Sequence, residues 1–130
     1  MTSVHFDTSA PSTTGLDPSI AAALAYLAGP FSGIVILLAE KTNRYVRFHA
    51  WQSIIAIGAM WTASLVLYAL AFASILVGSR LLLTLLWLAV LVAVSSIVVT
   101  VLSVIKAWSG QPWKLPLAGD YAERKALRVS

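Results

Sequence analysis

Three long apolar stretches, residues 20–39, 54–77 and 81–105, dominate the pattern along this chain, and none contains Lys, Arg, Asp, Glu or His. Each is long enough for a helix to cross roughly 30 Å of bilayer hydrocarbon, which takes about 20 residues. Polar positions fall in the gaps between them. The pattern predicts an all-α integral membrane protein with three transmembrane helices. Its expected parts are a flexible N-terminal tail (1–17), a three-helix membrane domain (18–108) and a C-terminal tail (109–130).

Local signals refine the elements. Residues 1–19 are rich in Ser, Thr, Pro and Gly and read as a mobile tail. Asp17 is placed to cap the first helix, with Pro18 at its first position. Gly29-Pro30 interrupts that helix, because proline removes a backbone donor and clashes with the turn before it, so a kink is expected there. A re-entrant hairpin is the alternative at this point. Thr42 or Asn43 is suited to cap a second helix that starts near Arg44, with Tyr45, Phe48 and Trp51 at headgroup depth. Gly78-Ser79-Arg80 makes a tight turn between helices two and three, an antiparallel hairpin. Helix three ends near Lys106-Ala107-Trp108. A short helix from Asp120 is expected to lie on the membrane surface with Tyr121, Ala122, Leu127 and Val129 as its apolar residues.

Charge supplies an orientation. The chain has nine Lys/Arg against five Asp/Glu, and only 11% of it is charged, where a soluble domain carries about 25%. With three spans, Lys41, Arg44, Arg47, Lys106, Lys114, Arg124, Lys125 and Arg128 share one side, and Arg80 alone lies opposite. Cations favour the cytoplasmic side. The expected location is a bacterial inner membrane, cytoplasmic or intracytoplasmic, with the N-terminus outside and the C-terminus in the cytoplasm. The basic excess suits anionic lipid headgroups, and no nucleic-acid motif accompanies it. Residues 1–19 lack the basic region of a cleavable signal, so the first apolar stretch is expected to be retained.

Candidate chemistry is sparse. There is no cysteine, which excludes disulfides and thiolate metal sites. His49 has no second His, Cys or carboxylate at ligand spacing, and His5 sits in the tail, so no metal, cofactor or catalytic residue is expected. Ala21, Ala25, Gly29 and Gly33 recur every four residues, a small-residue stripe that lets helix backbones approach closely. It suits either a partner helix or the protein's own hairpin. Ser96, Thr100 and Ser103 offer hydroxyls on helix three, with no ionisable companion to make them a polar path. Arg47, His49, Trp51 and Gln52 cluster where helix two meets the membrane, a candidate contact for a partner, a lipid or the C-terminal tail.

Two segments together carry a resemblance. Arg47, Phe48, His49, Ala50, Gln52 and Ser53 match an Arg-Phe-His-Ala-x-Gln-Ser motif. Lys106, Ala107, Gly110, Leu115, Pro116, Gly119 and Asp120 match a Lys-Ala-x-x-Gly…Leu-Pro-x-x-Gly-Asp tail. Over about residues 20–125 the chain resembles a widespread bacterial and archaeal family of small three-span membrane proteins of unknown function. That family is related to the Tic-type component of chloroplast protein import and to the MamF/MmsF group of magnetosome membrane proteins. The resemblance implies no enzymatic reaction. This chain lacks an acidic loop that would face a mineral.

The resulting expectation is a non-enzymatic accessory or assembly subunit of a larger membrane complex, a bioenergetic complex being an attractive host. It would act by helix–helix packing on other integral membrane proteins and on anionic lipids, and a homo-oligomer is compatible with it. Expected contacts are Ala25, Gly29, Gly33, Arg47, His49, Trp51, Gln52, Trp108, Trp113 and Asp120. The alternative is an oligomeric translocation or channel component like the Tic-type proteins.

Overall fold

The computed structural model describes residues 6, 8–111, 113–115 and 118–127; His5, Pro116, Arg128 and Val129, named above, lie outside them. Five helices follow in order: α1 (Pro18–Leu27), α2 (Pro30–Ala39), α3 (Arg44–Leu76), α4 (Ser79–Trp108) and α5 (Ala118–Leu127), and no strand occurs among the described residues. Asp17 accepts from the Ser19 N–H and Asn43 accepts from the Val46 N–H, so both expected caps form. Only α3 and α4 are long and apolar enough to cross a membrane.

The first apolar stretch corrects the expected span. It is not one kinked helix but two ten-residue helices, each about 15 Å long and too short to cross. Gly29 adopts φ +59 between them, and the chain reverses there. The start of α1 therefore lies beside the end of α2. The Thr13 hydroxyl reaches the Ala39 carbonyl (3.1 Å), Lys41 N–H donates back to that hydroxyl (2.7 Å), and Asn43 Nδ2 donates to the Ala10 carbonyl (2.8 Å). The described part of the N-terminal tail makes these contacts, and Phe6 stacks on Phe48 at 5.1 Å.

A reversal between apolar helices buries backbone polar groups that need partners. Two serines supply them. Ser32 Oγ accepts from Ala28 N–H (2.9 Å) and lies within hydrogen-bond reach of the Ala25 and Gly29 carbonyls. Ser53 Oγ donates to the Gly29 carbonyl at 2.8 Å. Ser53 also opens a five-residue π-helical turn, Ser53–Ile57, whose wider girth sits beside the hairpin tip. A Cβ on Gly29 would meet Trp61 Cζ2 at 2.8 Å, and one on Gly33 would meet the Ala50 carbonyl at 3.0 Å. Gly29→Ala is therefore expected to destabilise the fold by about 1–3 kcal/mol, from left-handed strain and the Trp61 contact together. Reversible unfolding in mixed micelles measures it.

The hairpin tip lies level with Gly58 and Trp61, about midway along α3. Packing differs sharply on either side of that level. In Arg44–Gln52 six of nine residues are buried, enclosed by α1, α2 and α5. In Gly58–Ala73 only Ser64 and Ala71 of sixteen are buried, and α4 is the main neighbour. Buried positions on each long helix recur at sevens, Ile57, Ser64 and Ala71 on α3 and Ala89, Ser96 and Ser103 on α4. These mostly small residues let the helices approach closely, and Ser64 Oγ donates to the Ala89 carbonyl at 3.2 Å. The Ser96 and Thr100 hydroxyls donate to their own helix at 2.7 Å.

Glu40 closes the base of the hairpin. Its carboxylate is fully buried and accepts from Thr42 N–H (3.0 Å), Asn43 N–H (2.9 Å), Thr13 N–H and the Ser12 hydroxyl. Burial pushes its pKa up, but hydrogen bonds from Asn43, Ser12, Thr42 and Thr13 outweigh this and hold it down from 4.5 to about 2. A depressed carboxylate stabilises the folded state above its unfolded pKa and loses that contribution as pH falls through the folded value. A spin label at Leu16→Cys should therefore be immobile at neutral pH and gain mobility between about pH 4.5 and pH 2. In Glu40→Gln the label should already be mobile at neutral pH, with no transition in that window.

Candidate functional site

The buried polar groups converge where α1, α3 and the segment after α4 meet. His49, Gln52 and Ser53 lie on the inner face of α3 and are almost wholly buried, as are Tyr26 of α1 and Tyr45. Helical spacing brings Tyr45, His49 and Gln52 onto one side of α3. Tyr26, Tyr45 and Phe48 form an aromatic box around His49, with ring centroids at 5.6, 4.7 and 5.0 Å.

Gln52 organises this box. Its Oε1 accepts from the Leu115 N–H (3.0 Å), which fixes the orientation of the amide. Nε2 then donates to the Trp113 carbonyl (2.9 Å) and to the Tyr26 hydroxyl (3.0 Å). The Tyr26 proton is left for His49 Nδ1, at 2.8 Å. That leaves the His49 ring proton on Nε2, a buried atom with no hydrogen-bond partner among the described residues. The Gln52 amide thus holds the extended segment 113–115 from both sides, as a neighbouring strand would. Tyr45 adds a bond from its hydroxyl to the Ala107 carbonyl at 2.7 Å.

This clamp positions α5, which packs on α3 through Ala118, Ala122 and Ala126. Its small residues face the protein, while Tyr121 and Leu127 are exposed. The short helix expected near Asp120 thus forms, and it packs on α3. Lys114 pairs with Glu123 and, at 3.5 Å, with Asp120. The Glu123 hydrogen bond leads the influences that raise the Lys114 pKa. A Cβ on Gly119 would lie 2.6 Å from Lys114 Cβ and 3.0 Å from Gln52 Oε1. Gly119→Ala is expected to loosen α5 by about 1–3 kcal/mol through overpacking. Faster tryptic cleavage at Arg124 and Lys125 would report it.

The expected contact residues divide clearly. His49, Gln52 and, through its carbonyl, Trp113 come together in the clamp. Arg47 lies apart and caps α2, its Nη1 donating to the Glu40 carbonyl at 2.8 Å. Trp51 is half-buried under Lys125, 5.7 Å from its ring. Trp108 is exposed at the end of α4, and the Asp120 side chain is exposed. Ala25 and Gly33 are buried against α3, so the small-residue stripe is filled by the chain's own helix instead of a partner. Tyr26, Ser53 and Glu40 were missed. Each is a polar group within or directly beside an apolar stretch, which is the signal that could have found them. Among the described residues no group of three His, Cys, Asp or Glu could hold a metal.

Two long apolar helices, a helical hairpin and an interior whose polar groups bind one another define an all-helical membrane protein. The chain belongs to the family described as the magnetosome magnetite crystal formation protein family, MamF/MmsF, which matches residues 17–122. It is 36% identical over 85% of its length to a UPF0132 membrane protein of Methanocaldococcus jannaschii, covering 89% of that protein. It is 33% identical over 82% of its length to a UPF0132 membrane protein of Archaeoglobus fulgidus, covering 93% of that one. No solved structure matches the chain.

Proposed function

We propose that the protein is a non-enzymatic accessory subunit of the cytoplasmic membrane, with two spans and a re-entrant hairpin, that acts by packing against other membrane helices. In this placement both described ends of the chain lie on the basic, cytoplasmic side, with Lys41, Arg44, Lys106 and Lys114, and Arg80 lies opposite. The observation that carries the reading is the closed clamp. Tyr26, His49, Gln52 and Ser53 are spent on bonds within the chain, while large apolar residues point outward from the hairpin: Leu27, Phe31, Val35 and Leu38. The far turn, with Gly78 and Arg80, offers no carboxylate to a mineral surface, which favours a role within the membrane.

Native mass measurement after extraction in mild detergent tests this. The expected result is an assembly of defined stoichiometry that dissociates on Phe31→Ser with Val35→Ser, while the released chain keeps its helical signal. An assembly indifferent to those changes would refute the hairpin as the packing surface. Saturable, specific flux through vesicles containing the pure protein would instead favour the translocation reading.

A further inference from the structure

We propose that the protein senses membrane curvature, favouring bilayers in which the leaflet around its α1–α2 hairpin is convex; this rests on the two-span placement above. The carrying observation is the unequal girth of the molecule at its two ends. Level with Arg44–Gln52, helices α1, α2 and α5 and the clamped segment surround α3, with α4 packed against α1, and most of that stretch is buried. Level with Gly58–Ala73, α3 has chiefly α4 beside it. There the small seam residues Ser64, Ala71, Ala89 and Ser96 bring the pair close. Two helices thus stand in one leaflet, and the same two plus the hairpin stand in the other. Each added helix has a diameter of about 10 Å with its side chains.

The outward residues of the hairpin suit hydrocarbon. Leu27, Phe31, Val35 and Leu38 are each at least 64% exposed, a surface that either lipid chains or a neighbouring helix can cover, and in both cases the hairpin takes up volume in the near leaflet only. The rim of the wide end carries Lys41 and Arg44, both exposed, which attract anionic headgroups to that side. The partner is therefore an anionic bilayer, and what is read is its shape. A one-sided insertion crowds the near leaflet of a flat membrane. Bending that leaflet outward gives the inserted volume room, and the preference follows from this difference between states.

Membrane tubes pulled outward from giant vesicles of phosphatidylglycerol and phosphatidylethanolamine test the proposal. The chain has no cysteine of its own, so Leu16→Cys or Arg80→Cys, tagged with a membrane-impermeant dye, marks one orientation at a time. Dye on Leu16→Cys marks molecules whose wide end faces the convex surface, and these should be enriched in the tube about twofold over the parent vesicle. Dye on Arg80→Cys marks the opposite orientation, which should be depleted. Equal partition of both populations, or the reverse order, would overturn the proposal. If Leu16→Cys and Arg80→Cys in one molecule label together, the two-span placement has failed and the proposal falls with it, a result distinguishable from absent sorting.

Discussion

A cysteine pair at Leu16 and Lys41 should take up impermeant dye as a unit. In sealed vesicles with mixed orientations, each Leu16→Cys/Lys41→Cys molecule should carry two dyes or none. Intact mass after dissolution reads the distribution. A spanning first helix would place the two positions on opposite faces and give one dye per molecule throughout. The hairpin predicts the split because its ends are joined by side chains. Thr13 bonds at Ala39 and Lys41, and Glu40 gathers donors from Ser12, Thr13, Thr42 and Asn43. Ten residues of helix span only about 15 Å, half the hydrocarbon thickness. A single-dye population would restore the three-span topology.

Gln52→Leu should produce the largest loss of stability. The substitution keeps the bulk but leaves the Trp113 carbonyl, the Leu115 N–H and one bond of the Tyr26 hydroxyl without their partner. Leaving a buried donor or acceptor unsatisfied costs about 1–3 kcal/mol each, so a total near 3 kcal/mol or more is expected. The effect should appear first as release of α5, since the clamp is what holds segment 113–115 to α3. Trypsin should then cut at Lys114, Arg124 and Lys125 before the two long helices separate. Asp120→Asn is the control. Its ion pair with Lys114 is at the surface, and such pairs contribute about 0–1 kcal/mol. Equal protease resistance of Gln52→Leu and the unaltered chain would show that α5 is held by its own packing.

Much of the helical framework was readable from composition and caps. Asn43 before Arg44, Gly78 before Ser79 and Trp108 at the end of α4 all mark boundaries by local rules. The first stretch forms two short helices where one kinked helix was expected, because hydropathy reports what a segment dissolves in, not where its chain turns. Gly29-Pro30 was visible as a break, but how far the chain turns depends on Ser32 and Ser53 satisfying the tip, and the second of these is remote in sequence. The clamp was half legible. His49 and Gln52 stood out as polar residues without an anchoring role, and contact with the C-terminal tail was one of the options. Tyr26 hid inside an apolar helix, and its pairing with His49 is tertiary. The stripe misled because small residues pack closely against any helix, and here the partner is the chain's own α3.

The wide turn at Ser53–Ile57 also sets the rotational phase between the two halves of α3. On its near side, Tyr45, His49 and Gln52 must aim at α1 and the clamped segment. On its far side, Ile57, Ser64 and Ala71 must aim at α4. Removing one residue from the turn would swing one half about 100° around the helix axis relative to the other. The polar anchor and the apolar zipper could then no longer both engage, so a one-residue deletion there should be far more damaging than any single substitution among the same five positions.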